Sequence, residues 1–78
     1  MPGDCDICVT FGEEVRRLRH AHALSQESLA AKAGLDRTYV SGVERGVRNV
    51  SLKNIYAIAT ALDVSVAKLM EGIDTSGK

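Results

Sequence analysis

Tryptophan is absent from this chain of 78 residues, and aromatic side chains are limited to Phe11, Tyr39 and Tyr56. That scarcity, beside abundant Ala, Val and Leu, suits small, tightly packed helices better than strands. No run of about 18 apolar residues is available to span a bilayer. The N-terminus carries Asp4 and Asp6 where a secretory signal would need basic residues before an apolar stretch. A cytoplasmic protein with no membrane partner is expected. A chain this short lies near the lower size at which one apolar core is sufficient, so self-association is expected as well.

The chemistry of an enzyme is also missing. There is no Gly-rich phosphate loop, no pair of inward carboxylates and no nucleophile with a basic neighbour in a recognisable frame. The reading is therefore a non-enzyme with no catalytic residue, no cofactor and no small-molecule ligand. Cys5 and Cys8 form Cys-x-x-Cys, with His20 and His22 downstream, so a zinc site has to be weighed. Two histidines at i, i+2 on a helix point about 200° apart, which does not clasp one metal. No metal is assigned, and the cysteines are read as thiols on a tail.

Net charge is absent in total, ten basic residues balancing ten acidic ones, but not in distribution. From Arg16 to Lys53 eight basic residues face only Glu27, Asp36 and Glu44, an excess of five positive charges. A polyanion is thereby restored as a candidate partner.

Residues 1–9, with Pro2, Gly3 and two aspartates and no periodicity, are expected to be a loose tail, and residues 73–78 a second one. Between them, over 10–72, five capped helices account for the sequence. Thr10 with Glu13 makes a capping box for a helix from Phe11 to His22, whose stripe is Phe11, Val15 and Leu18. Ser25 caps Gln26 to Ala33, ended by Gly34. Asp36 caps a third helix with Val40 and Val43 inward and Gly46 as its stop. Ser51 caps Leu52 to Leu62, and Ser65 caps a short helix from Val66 to about Glu71, ended by Gly72. The apolar stripe of the fourth helix (Leu52, Ile55, Ile58, Ala59, Leu62) is too wide for one neighbour.

Helix, glycine turn, helix, with the spacing Gln26, Gly34, Gly46, is the helix-turn-helix arrangement, in which the second helix projects its N-terminal side chains into the major groove. The stretch LSQESLAAKAGLDRTYVSGVERGVRN followed by SLKNIYAIATALDVSVAKL resembles the helix-turn-helix domain of the XRE family, which includes the phage lambda and 434 repressors and Cro. Within it, DRTYVSGVERG with RN two residues later is similar to the restriction–modification controller proteins. The resemblance implies an all-α, five-helix lambda-repressor-like domain. It would act as a transcriptional regulator on double-stranded DNA, bacterial and nucleoid-associated or phage-encoded.

The resemblance also distributes roles. Base contacts are expected from Arg37, Thr38, Ser41 and Arg48, since arginine can donate twice to guanine and threonine offers a hydroxyl and a methyl. Phosphate contacts are expected from Gln26, Tyr39, Arg45, Asn49, Ser51 and Lys53. Glu44, which would repel phosphate, should instead pair with Arg19 as scaffold. Gly42 should share the groove face with Thr38 and Ser41 and let the helix lie closer to DNA, leaving readout to Arg37, Thr38 and operator shape. Operator symmetry implies a homodimer on half-sites about 34 Å apart. Its interface would draw on Ile55, Ile58, Leu62, Val64 and Val66, for each of which a place in the core is an equal alternative. Two alternatives remain: an antitoxin-type protein-binding module, disfavoured by the short chain after helix five, and a thiol- or metal-responsive regulator using Cys5 and Cys8.

Overall fold

The computed structural model describes residues 6–73, and for Asp6 the backbone only. Five helices follow in order, α1 (Asp6–Ala21), α2 (Gln26–Ala33), α3 (Arg37–Glu44), α4 (Leu52–Ala61) and α5 (Val66–Leu69), with no strand among the described residues. The all-α, five-helix expectation is met.

Four starts carry the expected caps, each satisfying a first-turn amide that the helix itself leaves unpaired. The hydroxyls of Ser25, Ser51 and Ser65 accept from the amides of Ser28 (2.9 Å), Asn54 (3.2 Å) and Lys68 (2.9 Å), and the Asp36 carboxylate accepts from Thr38 at 3.1 Å. At the end of α2, Gly34 is left-handed (φ 71°), and the Leu35 amide turns back to donate to the Ala30 carbonyl at 2.9 Å. Leu35 thereby packs against the core before Asp36 starts the next helix.

The beginning of α1 differs from expectation. Thr10 caps nothing: it lies inside a helix that already runs at Asp6, so residues 6–9 are not a tail. The physical reason is that Cys8 extends the buried stripe backwards by one turn, giving Cys8, Phe11, Val15 and Leu18 at helical spacing. Residues 1–5, which hold the rest of the first tail and Cys5, and residues 74–78 of the second lie outside the described residues, whereas Ile73, also assigned to the second tail, packs against the core.

Two glycines let α1 approach its neighbours. A β-carbon on Gly12 would stand 2.3 Å from the carbonyl oxygen of Val43 and 2.7 Å from that of Glu44, so α1 and the end of α3 are in backbone contact. Gly46, with φ of 78°, faces the backbone of Val9, whose Cα would be 2.8 Å from a β-carbon there. One continuous core then joins all five helices, with Val15, Leu29, Val40, Ile58, Leu62 and Leu69 fully enclosed. Helix α3 is held between α1 and α2, and α2 also rests on α4.

Ile58 and Leu62, expected among the interface residues, belong to this core and are not available to a partner. Ile55, Val64 and Val66 are half-buried against it. The outward apolar residues of α4 are instead Leu52 and Tyr56, 78% and 66% exposed and one turn apart.

Candidate nucleic-acid interface

Helix α3 has two sides with different tasks. Val40 and Val43 are enclosed, while Arg37, Thr38 and Arg45 are exposed and Ser41 half-buried. Thr38, Ser41 and Arg45 recur at i, i+3 and i+7, and Arg37 is four residues before Ser41, so these four polar side chains share one edge. The helix is thus fixed by its apolar side and presents a hydrogen-bonding, positively charged edge.

Glu44 does not disturb that charge. Its side chain is 1% exposed and accepts from Arg19 Nε (2.6 Å), Arg19 Nη2 (3.0 Å) and Gln26 Nε2 (3.0 Å), with Arg16 Nε at 3.8 Å. Arg19 Nη1 also donates to the Leu24 carbonyl at 2.9 Å. Burial alone would raise the carboxyl's pKa. The hydrogen bonds from Arg19 and Gln26, with the charges of Arg19 and Arg16, outweigh it and hold Glu44 below the ordinary glutamate range. The expected scaffold pair is present, and it is a bidentate arginine–carboxylate contact.

Gln26, of which a phosphate contact is expected, has a partner inside the protein. At the start of α2 it is half-buried, and one of its amide protons is given to Glu44. The two helices of the helix-turn-helix are tied together by this bond, 18 residues apart in the chain, and it fixes the orientation of the Gln26 amide.

Beyond α3, Arg48, Asn49, Ser51 and Lys53 are all exposed. Ser51 has its oxygen engaged as the α4 cap. The guanidinium of Arg48 lies over the ring of Tyr39, 5.6 Å from its centroid. The Tyr39 hydroxyl accepts from Asn54 Nδ2 at 3.1 Å. Tyr39 is therefore half-buried and tethered rather than a free arm. Asn54, which sequence reasoning did not single out, connects α4 to this face; its only sequence signal is its place three residues after the Ser51 cap.

Gly42 departs from expectation. It is buried, and what covers it is the Arg48 side chain rather than open space awaiting DNA. The histidines are apart from this face: His20 is exposed in the last turn of α1, and His22 Nδ1 donates to the Leu18 carbonyl at 2.9 Å. Cys8 is buried at the first turns of α1 and is disulfide-bonded, so it is not the thiol expected. No helix among the described residues is long and apolar enough to cross a membrane.

Comparison with known proteins agrees with this geometry. A helix-turn-helix family model matches residues 15–69. The control protein C.MunI of Mycoplasma sp is 44% identical over 70 residues, covering 88% of this chain and 95% of that protein. The crystal structure of the restriction–modification controller protein C.AhdI from Aeromonas hydrophila is similar with a TM-score of 0.81 and 58% identity, over 82% of this chain and 97% of that one. The controller protein C.Esp1396I, solved as a tetramer in complex with its natural 35-base-pair operator, matches with a TM-score of 0.77 and 36% identity, over 82% of this chain and 84% of that one. The chain belongs to the XRE-type helix-turn-helix family of DNA-binding regulators, not a class of enzymes, and its relatives there include restriction–modification controller proteins.

Proposed function

We propose that this protein is a sequence-specific transcriptional regulator of the controller type, binding double-stranded operator DNA as a homodimer. The observation that carries the reading is the polar edge of α3, with Arg37 and Thr38 exposed at its N-terminal turn while Val40 and Val43 anchor the opposite side. An α-helix presented in this way fits the major groove by its N-terminal residues.

In this reading Arg37, Thr38, Ser41 and Arg48 meet base edges. Gln26, Arg45, Asn49, Ser51 and Lys53 meet the phosphates that set register, and Tyr39 serves mainly by holding Arg48. Each half-site is short, so two copies related by two-fold symmetry reinforce one another. On the α4 side, the apolar residues available for that contact are Leu52 and Tyr56, with the accessible parts of Ile55, Val64 and Val66. The relative C.Esp1396I binds its operator as a tetramer, which supports assembly of more than one copy on DNA. A regulator of this kind works where the genome is, in the cytoplasm, whether its gene is chromosomal or phage-borne.

The test is selection from a random duplex pool with the purified protein, followed by sequencing of what is retained. A motif with two-fold-related halves about one helical turn apart is the expected result. Retention without any enriched motif would refute sequence-specific regulation, and no retention above background would favour a protein-binding module.

A further inference from the structure

Gly42 occupies the interior of α3 without a left-handed φ, a place where alanine would serve the helix better. Its neighbour explains its presence. A β-carbon on Gly42 would stand 2.8 Å from Cγ, 3.1 Å from Nε and 3.5 Å from Cδ of Arg48, so the stem of that arginine crosses α3 in direct contact with the glycine backbone. Tyr39, one turn earlier on the same side, receives the guanidinium on its ring, and Asn54 holds the tyrosine hydroxyl.

Arg48 belongs to the segment after α3, where a long exposed side chain would ordinarily sample many rotamers. Here the Gly42 backbone is its floor and the Tyr39 ring its stop. From this geometry we infer that Gly42 is a positioning residue for sequence readout: the missing β-carbon lets Arg48 lie along α3, so that its guanidinium reaches one base pair of each half-site. The inference rests on the regulator reading above, and it assigns part of operator specificity to a residue that touches no base.

The obstruction a methyl group would create at position 42 falls on a flexible side chain, not on backbone. Gly42→Ala should therefore fold, at the cost of displacing the Arg48 stem and with the helix itself intact by circular dichroism. What should change is selectivity. The base pair read by Arg48 is identified as the position whose preference disappears in Arg48→Ala. At that base pair Gly42→Ala should lose about tenfold in discrimination, within the range of a bidentate arginine–guanine contact. The double variant Gly42→Ala/Arg48→Ala should bind no worse than Arg48→Ala.

Unchanged discrimination in Gly42→Ala would overturn the inference, as would an Arg48→Ala variant that loses no base preference. So would a Gly42→Ala loss of equal size in the Arg48→Ala background, because the methyl group would then be obstructing DNA directly. Unaltered protein that retains no motif would instead overturn the regulator reading itself, and that result is in hand before any variant is made.

Discussion

Glu44→Ala should unfold much of the margin by which this domain is stable. The carboxylate is 1% exposed and its partner Arg19 is 10% exposed, so the variant leaves a guanidinium enclosed with Nε and Nη2 unpaired. Breaking a buried ion pair from one side costs about 3–5 kcal/mol, because the surviving charge keeps its desolvation penalty and loses its compensation. A domain of 78 residues has a total stability of roughly 4–12 kcal/mol at 0.05–0.15 kcal/mol per residue. The thermal midpoint should fall by about 12 °C or more, at 4–8 °C per kcal/mol for a domain of this size. Urea titration followed by far-ultraviolet circular dichroism measures the loss directly.

Two controls define what would refute this. Arg17 pairs with Glu14 on the surface, with its own side chain 59% exposed, and Arg17→Ala should leave the urea midpoint nearly unchanged. Replacing both buried partners together, as Arg19→Met/Glu44→Leu, should recover much of the loss, since no lone charge remains. A Glu44→Ala cost below about 1 kcal/mol would show that the pair is solvated in practice and that the scaffold role assigned to it is wrong.

The same carboxylate sets the acid limb of stability. Its folded-state pKa is depressed below the ordinary 4.5, so its contribution is complete above that value and is lost as pH falls through the lower folded value; the urea midpoint should drop below about pH 4.5, and a flat profile down to about pH 3 would contradict the assignment. Glu14, also depressed, by its hydrogen bond from Arg17, adds in the same direction. Gly12→Ala should destabilise by about 1–3 kcal/mol or more, because its methyl group meets the backbone carbonyls of Val43 and Glu44; a thermal midpoint unchanged or raised would mean that α1 and α3 can separate freely. Arg37→Ala should weaken operator binding by about 1–3 kcal/mol and relax preference at one base pair per half-site without altering the thermal midpoint, as quantitative binding to the selected operator and its single-base variants would show.

Local chemistry was what the sequence carried well. Ser25, Asp36, Ser51 and Ser65 were legible as caps because a capping side chain and the amide it serves are two or three residues apart. The inner face of α3 followed from periodicity, and the Arg19–Glu44 pair from resemblance. The start of α1 was misplaced because the short segment before Thr10, with Pro2, Gly3 and two aspartates, shows no period of its own. Cys8 extends the stripe only when counted as an apolar residue continuous with Phe11.

What stayed hidden was whatever depends on which part of the chain arrives from far away. A wide apolar stripe on α4 says that two surfaces must be covered, but not which residues meet the chain's own core. Ile58 and Leu62 are enclosed by their own domain, while Leu52 and Tyr56 are left outside. The same limit applies to the glycines: Gly12 is explained by carbonyls more than thirty positions later, and Gly42 by a side chain six positions on that folds back across its own helix. On the candidate DNA face, then, residue types identify the donors, and through-space neighbours decide where each donor points. Arg48 illustrates the division: its charge is visible in the sequence, but the Gly42 floor, the Tyr39 ring and the Asn54 tether that aim it are visible only once α3, α4 and the segment between them are in place. If Arg48 reads a base as proposed, specificity in this domain depends on the residues that confine the reader as well as on the reader itself.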